Sequence, residues 1–147
     1  MPVTDVVCDA SIVLKWFHDE GEHDVEDARR ILAGQRSGGL TAWVLDLTFY
    51  ELGNVLLRAL HWPASDVVAQ LDDIRAICGV LSCGPSELRL AAQLAEAHTL
   101  TFYDAAYAAA ARSRGAALAT ADNALLDSGI GEPPGLIAAR LRISDTI

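Results

Sequence analysis

The chain has 147 residues, 52% hydrophobic and 21% charged, which is enough for one domain (1–147) with a buried core and too apolar for a disordered chain. Its formal charge of −9 argues against a generic polyanion binder, so any nucleic-acid contact must use a local basic patch. No run of about 18 consecutive apolar residues occurs, so no membrane span is expected.

The N-terminus carries Asp5 and Asp9 and lacks a basic segment, so no signal peptide is expected. Cys8, Cys78 and Cys83 form no CxxC pair and leave one thiol unpaired, which points to the reduced cytoplasm. His18, His23, His61 and His98 show no zinc spacing.

In chain order, Val6-Val7-Cys8 reads as a first, central strand. Asp9 follows it, at the carboxyl end where open α/β sheets place ligands. Ser11 is then read as the cap of a helix over 12–17. Residues 18–24 read as a loop, 25–34 as a second helix, and 40–44 as a strand after the turn Ser37-Gly38-Gly39. A strong amphipathic helix spans 47–60, with Asp46 or Thr48 as its cap, and Pro63 ends it.

Ser65 or Asp66 caps a helix over 67–77, and 80–82 is a third strand. Pro85 opens a helix to about Ala97, and an alanine-rich helix follows over 101–112, headed by Tyr103-Asp104. Gly115 stops it. Residues 116–119 form a fourth strand that runs into Thr120-Ala121-Asp122 and a short helix through Leu125-Leu126. After a glycine- and proline-rich loop, 136–141 is read as a last edge strand. The alternation predicts a three-layer α/β/α sandwich with a central parallel sheet.

Four acidic residues fall where this architecture makes clefts. Asp9 follows strand one, Asp122 follows strand four, Asp104 opens a helix, and Glu51 lies within one beside Phe49, Tyr50 and Leu52. Each has a local use as well: Asp9, Asp104 and Asp122 as helix caps or turn residues, Glu51 as a paired acid. Together they ask for more, because only Lys15 is near in sequence to neutralise them. Converged carboxylates repel and raise one another's pKa unless a cation joins them. Oxygen-only donors select Mg²⁺ or Mn²⁺ over zinc, and such a cluster is a phosphoryl-transfer signature.

The runs VVCDASIVLKWF, LTFYELGNVLLR, LTFYDAAYAAAAR and LATADNALL resemble the four acidic motifs of PIN-domain ribonucleases, especially the toxins of VapBC toxin–antitoxin pairs. The likeness covers nearly the whole chain. It implies that Asp9, Glu51, Asp104 and Asp122 form the acidic quartet, with Asp9 and Asp104 the principal Mg²⁺ ligands. Ser11 and Thr120 match the family's small hydroxyl positions, and Asn54 matches a polar position after its glutamate. The implied reaction is endonucleolytic hydrolysis of RNA, by a cytoplasmic homodimer whose antitoxin covers the cleft. The alternatives are the same chemistry in RNA processing or on DNA, or a PIN-like interaction module without turnover.

The run Asp19, Glu20, Glu22, Asp24, Glu26 and Asp27 is read as a solvated face. Asp127 is a surface residue or a peripheral ligand. Arg58 either meets an RNA phosphate or is a plain surface or dimer arginine. Arg112 and Arg114 suit a helix end. Trp16, Phe17, Trp43 and Trp62 read as core or dimer contacts.

Overall fold

Strand β1, Asp5–Cys8, lies inside a four-stranded parallel sheet. The computed structural model describes residues 5–146, with side chains described through residue 141. Strands β2 (Thr41–Leu45), β3 (Gly79–Leu81) and β4 (Ala117–Ala119) complete the sheet in the order β3-β2-β1-β4. β1 pairs with β2 on one side and with β4 on the other, with Val7 opposite both Trp43 and Leu118.

β1 is apolar without alternation because both its faces are covered. Val6 and Cys8 point into one core, with Ile12, Ile31, Phe49, Leu52 and Ile74. Val7 points into the other, with Leu45, Leu94, Tyr107, Leu118 and Leu125. The first core is supplied by helices α1 (Ala10–Phe17), α2 (Val25–Ser37), α3 (Asp46–Asn54), α4 (Ala64–Ile77) and α8 (Pro134–Thr146). The second is supplied by α5 (Pro85–His98), α6 (Phe102–Arg114) and α7 (Asn123–Asp127). This is the α/β/α sandwich expected from the alternation of elements. No helix among the described residues is long and apolar enough to cross a membrane.

Several local readings change. The expected helix over 47–60 is α-helical only to Asn54 and continues as a π-helical segment, Val55–Ala59. Leu60 N–H reaches back to Val55 C=O, and His61 then turns left-handed at φ 57° just before Trp62-Pro63. Asp9, not Ser11, caps α1 by accepting from Ile12 N–H. Neither Ser65 nor Asp66 caps α4, whose cap position is Pro63. Thr48 supports the start of α3 by accepting from Leu45 N–H.

The expected edge strand over 136–141 is the helix α8. Pro134 is its first residue, where the missing N–H costs nothing. Its apolar residues Ile137 and Leu141 lie four apart on one face and pack on the first core. The sheet edge is met one step earlier, by a single parallel bridge between Ala119 and Glu132. Pro133 and Pro134 follow at once and have no N–H to extend a ladder.

Candidate active site

The parallel pairing of β1 with β4 sets Cys8 opposite Ala119, so the two chains leave the sheet together. Asp9 N–H still bonds to Ala119 C=O at 3.3 Å. Asp9 and the segment Thr120-Ala121-Asp122 are therefore neighbours at the carboxyl edge of the sheet.

Asp9 is only 5% exposed, and its carboxylate is fully engaged. Oδ1 accepts from Ser11 Oγ at 2.5 Å and from Ile12 N–H at 3.3 Å, while Oδ2 accepts from Thr120 Oγ1 at 2.5 Å. The two hydroxyls are held in turn by the opposite strand end. Ala121 N–H donates to Ser11 Oγ, and Asp122 N–H donates to Thr120 Oγ1, both at 2.9 Å. A backbone N–H can only donate, so each hydroxyl proton is left to point at Asp9. Both expected supporting residues, Ser11 and Thr120, thus bear on the buried carboxylate.

The packing is close here. A Cβ on Gly131 would overlap the Thr120 methyl and meet Leu125, so only glycine lets the loop after α7 lie against the site.

Asp122 caps α7, with Oδ1 accepting from Ala124 N–H and Leu125 N–H. Its expected local use as a cap is therefore real. Asp104 is not the cap of α6. Thr101 is, accepting from Asp104 N–H at 3.1 Å, which leaves the Asp104 carboxylate in the first turn. A negative charge there is favoured by the helix dipole.

Glu51 rises from α3 and is half-buried. Its Oε1 accepts from Tyr107 O–H on α6 at 2.6 Å. Tyr107 is 1% exposed and lies among buried alanines at 105, 106 and 108–111. Its oxygen meets Thr48 Oγ1 at 2.8 Å, and Thr48 is also fully buried. Sequence reading singled out neither Tyr107 nor Thr48 for the site. The available signal was spacing: Thr48 precedes Glu51, and Asp104 precedes Tyr107, each by three residues and so on one helix face.

The four acids act on one another electrostatically. Burial raises the Asp9 carboxyl to about 6, against the hydrogen bonds from Ser11, Thr120 and Ile12, with the Glu51 charge adding to the rise. Burial also raises Glu51, and the charges of Asp104 and Asp122 add to it, while the Tyr107 hydrogen bond opposes them. Asp104 is raised by burial and by Asp122, with the Thr101 hydroxyl acting the other way. Each of the four therefore lies within reach of another's charge. The burial of Glu51 and Asp104 is partial, so solvent screens part of this repulsion.

No cation of the described chain relieves it. The ion pairs among the described residues are Lys15–Glu22 at 2.8 Å and Glu132–Arg140 at 2.8 Å. Lys15, the one basic residue near Asp9 in sequence, is thereby turned toward the acidic run. The donors, all carboxylate oxygens without His or Cys, suit a hard divalent cation. As they stand, no three His, Cys, Asp or Glu side chains among the described residues are gathered tightly enough to hold one.

The remaining readings sort by position. Asn54 is exposed at the end of α3 and hydrogen-bonds to none of the four acids among the described residues. Arg58 is exposed on the π-helical segment. Arg114 stacks over Trp43 at 3.6 Å, and Trp16 donates to Ala28 C=O. Phe17 meets Trp62 with ring centroids 5.9 Å apart. These aromatics are structural contacts within the chain.

Comparison with known proteins agrees with this architecture. A search of curated protein sequences finds no match to the chain. Among solved structures, the chain is similar to the PAE2754 protein of Pyrobaculum aerophilum, at 27% identity and a TM-score of 0.68, over 95% of this chain and 96% of that one. It is similar in fold to a toxin–antitoxin complex from Klebsiella pneumoniae, at 15% identity and a TM-score of 0.63, over 88% of this chain and 97% of that one. It is also similar in fold to VapC20 of Mycobacterium tuberculosis, described as a sarcin-ricin loop cleaving toxin, at 19% identity and a TM-score of 0.64, over 84% and 95%. The PIN domain model matches residues 6–129, which include all four acids and the hydroxyls that support them. The chain belongs to the PIN domain family.

Proposed function

We propose that this chain is a Mg²⁺-dependent endoribonuclease, acting in the cytoplasm as the toxin of a toxin–antitoxin pair. The observation that supports it most is the set of carboxylates from four separate segments, of which Asp9, Glu51 and Asp104 are raised by burial with a neighbouring acid's charge adding to it, and none is paired with a cation of the described chain. Family membership and the fold likeness to toxin structures add to it. Mn²⁺ would serve the same donors.

Asp9 and Asp104 are the proposed principal ligands, with Glu51 and Asp122 completing the shell directly or through water. When bound, the cation supplies a water made nucleophilic at neutral pH and a charge that screens the phosphoryl oxygens. The chain's own part is positional. Ser11 and Thr120 fix both oxygens of Asp9; Oδ1 is filled by Ser11 and Ile12, and Oδ2, with one donor, keeps a lone pair for a cation. Asp104 and Asp122 are only partly buried, which leaves them open to an RNA phosphate. A bound cation would offset the repulsion among the four carboxylates. The raised carboxyl of Asp9 is suited to hold a proton below about pH 6 and to bind metal above it.

The proposed partners are RNA as substrate, a second copy of the chain, and an antitoxin protein whose segment covers the cleft. The test offers the purified chain RNA and DNA strands of one sequence, in Mg²⁺ and in chelator. Internal cleavage of RNA alone, and only with Mg²⁺, is expected. Cleavage of DNA alone, or cleavage of either strand in chelator, contradicts the proposal.

A further inference from the structure

We propose that Tyr107 is a positioning residue for Glu51, the end of a one-way hydrogen-bond relay that starts at the backbone of Leu45. This rests on the nuclease reading, and it assigns a role to two buried hydroxyls outside the acidic quartet.

The direction of the relay follows from its two ends, a backbone N–H that can only donate and an ionised carboxylate that can only accept. Leu45 N–H can only donate, and it donates to Thr48 Oγ1 at 3.0 Å. Its neighbour at 2.8 Å is the Tyr107 oxygen, and because the single phenol proton goes to Glu51, Thr48 donates there. Tyr107 accepts there and has one proton left, which goes to Glu51 Oε1 at 2.6 Å. No other arrangement satisfies all three contacts, because the carboxylate end can only accept. Among the described residues, no buried side-chain polar atom lacks a partner.

The geometry gives the relay a purpose. Glu51 and Thr48 stand one turn apart on α3, and Tyr107 and Asp104 stand one turn apart on α6. α6 thus carries a partly buried carboxylate at Asp104 and, one turn on, a buried phenol at Tyr107. The phenol occupies Oε1 of Glu51, while Oε2 has no hydrogen-bond partner among the described residues. A long glutamate side chain has several rotamers, and fixing one oxygen selects among them. Thr48 in turn fixes the phenol, and strand β2 fixes Thr48. The position of Glu51 is thereby referred to the sheet that also carries Asp9.

The test uses three substitutions in the full chain: Tyr107→Phe, Thr48→Val and Thr48→Ser. RNA cleavage is read as kcat and KM separately. Mn²⁺ alone is titrated as a probe without RNA, by electron paramagnetic resonance, and melting is recorded in chelator. Tyr107→Phe is expected to lower kcat by about tenfold or more, the scale of one lost hydrogen bond to a charged group, with KM nearly unchanged and weaker Mn²⁺ binding. Thr48→Val should act in the same direction, Thr48→Ser should restore wild-type values, and the double substitution should be no worse than Tyr107→Phe alone.

A purely structural hydroxyl would lower the melting temperature in chelator and leave kcat and Mn²⁺ affinity untouched, and that result overturns the proposal. Additive losses in the double substitution overturn the relay. If Tyr107→Phe does not fold, the contrast between Thr48→Val and Thr48→Ser decides, and equal kcat for those two overturns it. Wild type that binds Mn²⁺ and cleaves RNA, beside an indifferent Tyr107→Phe, defeats this inference alone. Wild type that does neither defeats the nuclease reading and this inference with it.

Discussion

Thr120 Oγ1 donates a hydrogen bond of 2.5 Å to Asp9 Oδ2, although the two residues lie 111 positions apart. The same hydroxyl accepts from Asp122 N–H. One buried side chain therefore links the acid after β1 to the acid after β4. The link exists because β1 and β4 are parallel neighbours whose ends coincide.

Thr120→Val should separate this link from packing, since it keeps the shape and removes the hydroxyl. It leaves Asp122 N–H without its acceptor and Asp9 Oδ2 without its donor. A loss of stability of about 1–3 kcal/mol is expected, the cost of unmade hydrogen bonds at a buried site. RNA cleavage should fall as well, and Thr120→Ser should recover both. Chemical unfolding and a cleavage assay on the three proteins measure this. Wild-type stability in Thr120→Val would show that the hydroxyl carries no such link.

Asp122 gives a sharper contrast, because it is both a cap and a charge in the quartet. Asp122→Asn keeps a competent cap and removes the charge. In chelator it should melt at or above the wild-type temperature, since repulsion with Glu51 and Asp104 is relieved. Asp122→Ala removes the cap too and should lose roughly 0.5–2 kcal/mol relative to Asn. Mg²⁺ at a hundredfold excess over its dissociation constant should stabilise wild type by about 2.7 kcal/mol. Both variants should respond less. If both are destabilised in chelator and keep the full Mg²⁺ response, Asp122 is a cap and nothing more.

The order of elements and the central place of β1 were legible in the sequence, because buried parallel strands and capped amphipathic helices leave strong patterns. Boundaries moved by a few residues, as at β3, expected over 80–82 and found at Gly79–Leu81. Residues 136–141 misled because a short apolar run fits a strand and a buried helix equally well. Pro134 was the available arbiter, as a residue that opens helices. The cap of α1 lay between two good candidates two residues apart, Asp9 and Ser11, and Asp9 takes it. Among candidate site residues, the four acids stood out through their motifs. Tyr107 and Thr48 did not, because their contact joins positions 59 apart, and a lone tyrosine in an alanine-rich helix reads as core.

The pH dependence of stability has a definite sign. Asp9 is raised from 3.8 to about 6 in the folded protein, and Glu51 and Asp104 are raised too. A raised carboxyl binds its proton more tightly when folded than when unfolded. Its stabilising contribution is full below about pH 4 and is lost as the pH rises through about 6. In chelator, the melting temperature should therefore fall between about pH 4 and 6. Glu132 works in the opposite sense, since Arg140 lowers it, but its contribution is complete above its ordinary value of 4.5. Glu51→Gln should soften the fall, and saturating Mg²⁺ should shrink it, because the ionised carboxylates are the ligands. A melting temperature that rises with pH in chelator over this window would contradict the arrangement.

Substrate binding should carry the mark of an acidic body. At a formal charge of −9, RNA can bind only through Mg²⁺ and a few arginines. Binding to a cleavage-resistant RNA should weaken steadily with salt, with a slope of about 0.7 per phosphate neutralised on a single strand. Fluorescence anisotropy at several salt concentrations, with Mg²⁺ and with chelator, measures it. Strong binding in chelator that ignores salt would exclude this electrostatic account.

The central claim is that the four acids form one metal-dependent nuclease site, and Asp104→Asn tests it most directly. Thr101 caps α6, so this substitution removes a charge and leaves the cap and the shape. Cleavage of a single-stranded RNA by wild type and by Asp104→Asn is compared in Mg²⁺ at equal folded concentration, with melting curves recorded alongside. The account predicts a variant that melts at or above the wild-type temperature in chelator and has lost most of its Mg²⁺-dependent cleavage. A folded Asp104→Asn protein that cleaves RNA at the wild-type rate in Mg²⁺ would contradict it.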